Sequence, residues 1–300
     1  MREGELSGFD GNEQPEQKLA ADQEKIQKQL ERESLDEFIT PQILERLVLL
    51  DVTEKTRDGI ERSHFSDMIE MIQMVDGVLD RIQKETAYTF SSHERTLLKA
   101  GILFQDIGKA ATPLVAALYT VDNVKKGATI KDVLEIVQQR GFVSMVTPQE
   151  ESEIEAYVVD AAADLHEEVA QPLPMRALYD AHSYHSVRIL DEEKEKFLEQ
   201  GVTEEDVEVI RAVAGAHHSL QGLSRISEEF LISHPDINKL AVLGELLDKF
   251  QAARLRSGLD TKAAKEDIYQ RIDFARYGRG RNEPMRDERI ALFFELLEYI

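Results

Sequence analysis

Residues 97–109 read LLKAGILFQDIGK, the most apolar run of its length in the chain, and they end on Gln105, Asp106, Gly108 and Lys109. An apolar helix of this kind belongs in a packed interior. When it ends on an acid and then breaks at a glycine, it carries that acid from the interior toward a cavity. Four other places supply polar groups on apolar helical stripes: His64, His182, the pair His217–His218, and Asp248. A polar residue on a buried stripe must find a partner. The reading that follows is an all-α helical bundle built around a metal site centred on Asp106.

The flanking sequence supports helices on both sides. Upstream, Thr40 and Pro41 open a helix carrying Ile43, Leu44, Leu47 and Leu50. His64 begins a stripe through Met68, Met71, Ile72, Val75, Leu79 and Ile82, so it faces inward; the methionines are core filler at helical spacing. Ser91 and Ser92 can cap the helix that runs into the opening stretch. Downstream, Thr129–Gln139 is amphipathic, and an acidic helix is expected over roughly 150–169, stopped by Pro172 and Pro174. Residues 120–176 lie between two ligand-bearing helices and read as an insertion or cap. Leu178, His182, His185 and Ile189 share one stripe of the next helix. Thr203 caps the helix that ends at His217–His218, and Pro235 opens one whose small-residue face is Ala241, Gly244, Asp248 and Ala252. Small residues around one acid let neighbouring helices approach closely. Residues 258–300 form a C-terminal helical extension, with Arg276, Arg279 and Arg281 around Gly278–Gly280 as a local basic loop.

Composition bounds the function. The chain has 300 residues, a net charge of −22 and no cysteine. An acidic field of that size disfavours duplex nucleic acid and anionic membrane, yet a bound metal would dominate locally and still admit a phosphorylated ligand. Zero cysteine excludes disulfides and thiolate metal sites. No apolar leader or 18-residue apolar run is present, so a cytoplasmic protein is expected. Residues 1–37 are polar and acidic and read as a disordered tail, leaving 38–300 as the helical domain.

A lone inward histidine is more often a hydrogen-bonded core residue than a ligand, and a histidine pair at a helix end can simply cap carbonyls. The interleaving of inward histidines with two inward acids is what points to metal. Such a set binds Mn, Fe, Co, Ni or Zn, and a metal brings the pKa of its bound water to about 7. Lys109 could then neutralise a phosphate.

The ordered motifs resemble the HD superfamily of metal-dependent phosphohydrolases, most nearly its HD-GYP branch. They are His64, Q-D-I-G-K at 105–109, H-S-Y-H-S-V-R-I-L at 182–190, H-H at 217–218 and L-D-K-F-Q-A at 247–252. The resemblance spans about 60–256 without the insertion. It implies an HD-domain-like bundle with one metal position made by His64, Gln105, Asp106 and Asp248, and a second by Asp106, His182, His217 and His218. Gln105 stands where the dyad histidine belongs, and Ser219–Leu223 replaces the G-Y-P stretch. His185 has no counterpart and is a candidate supporting or alternate ligand. The implied function is hydrolysis of a nucleotide or other phosphoester, with Asp106 and Lys109 as catalytic residues, Arg254 or Arg256 facing the phosphate, and one or two divalent ions (Mn, Fe, Mg, Ni or Co). The departures keep open a catalytically impaired HD domain that serves as a metal- or nucleotide-binding signalling module.

Overall fold

The chain enters the fold through a helix, Pro15–Arg32 (α1), and this corrects the expectation of a disordered tail over residues 1–37. Ile26 and Leu30 fall one helical turn apart and, with Leu35 and Phe38 beyond the helix end, are fully buried among Ile43, Leu47 and Leu50 of the next helix. Lys25 reinforces the docking through Asp51, 2.7 Å away. Burying those apolar side chains outweighs the polar composition of the segment, because one packed stripe suffices to hold a helix whose other faces are solvated. The computed structural model describes residues 15–51, 54–55, 61–121, 127–141, 146–256, 258, 260–276 and 287–300. Residues 1–14 of the expected tail and the basic loop at 278–281 lie outside them.

Helix starts follow the capping chemistry of the sequence. Thr40 accepts from Ile43 N ahead of Pro41–Leu50 (α2), and Ser63 and Ser91 form capping boxes at the heads of His64–Glu85 (α3) and Ser92–Phe104 (α4). Thr112 caps Pro113–Tyr119 (α5), and Thr129 and Thr147 cap Ile130–Gln139 (α6) and Pro148–Asp164 (α7). The last of these stops short of the expected residue 169, because His166 takes a φ of 56° and the chain turns back, with Glu167 N donating to Ala162 O. Met175–Glu199 (α8) runs 25 residues, well beyond the stripe around His182. Thr203 opens Glu204–Ala216 (α9) with a capping box, and Glu228–Ser233 (α10), Pro235–Arg256 (α11), Thr261–Arg276 (α12) and Asp287–Leu297 (α13) complete the chain. Among the described residues the fold is all-α, with one two-residue antiparallel pairing of Glu54–Lys55 with Glu61–Arg62.

Two features of the packing position the site. First, α4, α9 and α11 meet at Val213, and only glycine allows it. A Cβ on Gly101 would lie 2.4 Å from Val213 Cβ, and one on Gly244 2.7 Å from Val213 Cγ1. The small-residue face of α11 thus brings Asp248 toward the end of α4. Second, besides a small cluster of Ala212, Ala216, Ile226, Leu231 and Ala241, the described residues form two apolar cores. The larger draws on α1–α4, α8, α9 and α11–α13. The smaller joins Leu114 and Val115 of α5, Val133 and Val137 of α6, Ile154 and Val158 of α7, and Leu178 of α8. The segment read as an insertion or cap therefore packs on a core of its own, and α8 belongs to both.

Candidate metal centre

The apolar helix α4 ends at Phe104, and the chain turns through Gln105 and Asp106 into a short 3-10 turn, Ile107–Ala110. That turn lies directly on the backbone of α8. A Cβ on Gly108 would sit 2.1 Å from His182 O, so glycine is required there. Ser186 locks the junction: its hydroxyl donates to Gln105 O at 2.8 Å and accepts from Gly108 N at 2.9 Å. Arg46 of α2 holds the far end through Ala110 O and Ala111 O, and Tyr157 of α7 donates to Gly108 O at 3.0 Å. Asp106 is thereby fixed against His182.

Around Asp106 the donors converge. Its Oδ1 lies 3.2 Å from His182 Nε2 and 4.0 Å from His217 Nε2, and its Oδ2 is 2.8 Å from Lys109 Nζ. The Nε2 atoms of His182 and His217 are 3.0 Å apart. His182 Nδ1 lies 2.6 Å from Tyr179 O, and His217 Nδ1 lies 2.5 Å from Ala214 O. A carbonyl only accepts, so each Nδ1 carries the ring proton and each neutral ring presents its lone pair at Nε2. Two lone pairs facing at this distance repel unless a cation is present. Donors bound to one ion at about 2.1 Å stand roughly 3 to 3.4 Å from one another; the His182–His217 and His182–Asp106 separations match that spacing, and the 4.0 Å between Asp106 and His217 is wider. His218 joins the cluster, and the donor atoms of the three histidines all lie within 4.8 Å of one another.

The electrostatics keep this set in ligating form. Burial, then the neighbouring His182, holds His217 down to about 3. Burial, then His217, pushes His218 well below its ordinary value. Burial alone would raise Asp106, but the Lys109 ammonium and the His182 imidazole outweigh it and hold the carboxyl well below the carboxylate range. Neutral imidazoles beside a carboxylate are what a metal binds.

The other expected ligands are placed differently. Gln105 is fully buried; its amide nitrogen donates to Asp248 Oδ1 at 3.4 Å and approaches Met71 Sδ, while its Oε1 has no hydrogen-bond partner. Asp248 Oδ2 pairs with Lys249 Nζ at 2.6 Å. His64 Nδ1 sits 3.4 Å from Lys109 Nζ, and its buried Nε2 has no hydrogen-bond partner. The structure thus brings Asp106, His182, His217 and His218 together, sets His64 against Lys109 and Asp248 against Lys249, and turns the Gln105 amide to Asp248. His185 is not a ligand: its Nε2 meets Tyr157 O at 2.7 Å and its ring stacks on Tyr157 at 3.8 Å, tying α7 to α8. Arg254 lies over Phe250 and against Met74 Sδ, and the side chain of Arg256 is outside the described residues.

Several residues here were missed in the sequence. Tyr119 donates to Leu178 O and sets its ring edge-on to both His64 and His182. Lys249, beside Asp248, reads in sequence as an ordinary surface charge, yet only 4% of its side chain is exposed. Next to the cluster is a cavity of about 350 Å³, lined by His64, Lys109, Tyr119, Arg176, His182 and His218 among others. Compared with protein-family models, curated proteins and solved structures, the chain matches none. No helix among the described residues is long and apolar enough to cross a membrane.

The buried rings make stability pH-dependent. His217 and His64 are held down to about 3, in the second case by burial and then Lys109, and His185 to about 4, again chiefly by burial. The unfolded chain takes up protons near 6.5 that the folded chain refuses. Their contribution is therefore complete above about pH 6.5 and is lost below it, by about 1.4 kcal/mol per pH unit for each ring. The melting temperature of the metal-free protein should fall steeply between about pH 6.5 and about pH 4. A flat profile across that window would show that the rings ionise without leaving the fold.

Proposed function

We propose that the chain is a metal-dependent phosphohydrolase of the HD type, acting on a nucleotide or another small phosphoester. The observation that supports it is the pair of facing Nε2 lone pairs on His182 and His217, 3.0 Å apart beside the Asp106 carboxylate. Asp106, His182 and His217, with His218 adjoining, would hold the ion, and two imidazoles with one carboxylate suit Mn, Fe, Co or Ni, with Mg the harder alternative. When bound, a divalent ion supplies Lewis-acid activation of water and of a phosphoryl oxygen.

The chain's own groups do the rest. Lys109 lines the cavity and offers its charge to a phosphate while its contact with Asp106 Oδ2 steadies that carboxylate. Arg176, at the same cavity and half-exposed, can reach a second phosphate oxygen or a leaving group. Tyr119 and Tyr179 wall the cavity and limit water. A volume of about 350 Å³ is at the small end of ligand sites, which favours a mononucleotide or simpler phosphoester over a cyclic dinucleotide.

A second reading, an impaired HD domain that binds metal or nucleotide as a signalling module, draws on Gln105, whose amide turns to Asp248. A panel of mono-, di- and cyclic nucleotides with added Mn separates the two. Release of phosphate from small monoesters, lost on chelation and restored by Mn, is the expected result. Nucleotide binding without turnover would favour the module, and efficient cleavage of cyclic-di-GMP alone would overturn the cavity argument.

A further inference from the structure

We propose that the Lys249 ammonium stands in for a second metal ion, so that the centre takes one divalent cation per chain. The inference rests on the metal centre proposed above and concerns its stoichiometry and charge. Lys249 Nζ is enclosed and has three acceptors around it: Asp248 Oδ2 at 2.6 Å, His217 O at 2.7 Å and His218 Nδ1 at 3.1 Å. An ammonium has three donors and no acceptor, so this set satisfies it completely. Gln105 Nε2 takes the remaining oxygen of Asp248. Asp248 is therefore spent on internal cations and amides. On the other side of the cluster Lys109 Nζ lies between Asp106 Oδ2 and His64 Nδ1. Of the residues that would form a first metal position, His64, Asp106 and Asp248 are thus already partnered by two lysines, and Gln105 turns its amide nitrogen to Asp248.

The same contacts sort the histidines. Because an ammonium only donates, His218 Nδ1 accepts from Lys249, and its ring proton lies on Nε2, 3.0 Å from His182 Nε2. His218 then offers no lone pair while Lys249 is in place, and its N–H rests on His182 Nε2, a hydrogen bond that an entering metal ion would displace. Asp106, His182 and His217 remain as the ligand set. The charges agree. Two ammonium groups balance the carboxylates of Asp106 and Asp248, so one divalent ion leaves two positive charges, which a phosphomonoester dianion matches. A second ion would leave four, and the carboxylate that also lines the cavity, Asp180, is already paired with Arg176 at 2.7 Å.

Metal content of the full chain, saturated with Mn and desalted, tests this by mass spectrometry alongside the Mn electron-spin signal. The wild type should hold one equivalent with the spectrum of an isolated ion. Lys249→Met, which keeps the length and removes the charge, should hold two at the same free Mn. Asp248→Asn should keep one equivalent with affinity within a few-fold of wild type, because Asp248 does not ligate that ion; this variant decides the matter should Lys249→Met fail to fold. Two equivalents in the wild type, one in a folded Lys249→Met, or a tenfold loss of affinity in Asp248→Asn would overturn the proposal and leave the metal centre standing. No metal in the wild type would remove the centre and this proposal with it.

Discussion

Asp106→Ala is expected to abolish metal uptake and, with it, the proposed phosphoester hydrolysis. Asp106 is the one carboxylate in contact with both His182 and His217, and it also holds Lys109 at 2.8 Å. Removing it leaves two imidazoles and an uncompensated ammonium, which adds repulsion to a lost ligand. Changes to groups that merely support a ligand cost 10–100-fold in affinity, so loss of this ligand should cost at least about a hundredfold. Isothermal titration with Mn, and metal content after desalting, read the effect directly. Stranding Lys109 also destabilises the fold, since breaking a buried pair costs about 3–5 kcal/mol. Asp106→Ala combined with Lys109→Met should regain much of that stability without regaining metal. Near-stoichiometric Mn in folded Asp106→Ala would move the site away from this cluster.

The apolar stretch before Gln105 predicts its own burial and the inward delivery of Asp106, because a 3.6-residue stripe and a glycine break are local properties of the chain. His182 and His217 were legible for the same reason: each interrupts an apolar face, and only a partner across the bundle makes that tolerable. What was hidden depends on contacts between distant elements. Asp248 reads as an inward acid, but Lys249 beside it looks like a solvated charge, and only the depth of α11 in the bundle encloses it. Ser186 carries no signal in a helix until the backbone of Gly108 lies against it. The helix α1 has few apolar residues, too weak a period to stand against its polar composition, and it is held by the surface that α2 offers. The separate core of α5–α7 has a middle case: its amphipathic helices were readable, but that they pack together with the start of α8 was not.

Arg289→Met should be the most destabilising single change outside the metal cluster. Arg289, on the C-terminal helix α13, is fully buried, with Nη1 2.7 Å from Glu228 and Nη2 3.9 Å from Glu245. Glu245 on α11 is itself fully buried; burial pushes its carboxyl up, against the pull of Lys249 and Arg289. Its two oxygens accept from the Ser219 hydroxyl and from Leu220 N at 2.8 Å. Those residues open the turn that follows His218, so the pair links α13 to the histidine cluster. Removing the guanidinium strands a buried carboxylate, at a cost of about 3–5 kcal/mol. At about 2–4 °C per kcal/mol for a chain of this size, the melting temperature should drop on the order of 10 °C. Adding Glu245→Gln removes the stranded charge while an amide oxygen can still accept from Leu220 N, and the double variant should recover most of the loss. Mn affinity follows a different order, because Glu245→Ala frees the turn after His218 whatever happens to Arg289. That variant should lose about 10–100-fold in affinity, whereas Glu245→Gln should lose less. If Arg289→Met shifts the melting temperature by no more than a surface substitution does, the guanidinium is not a buried partner of these carboxylates. The link from α13 to the histidine pair would then be withdrawn.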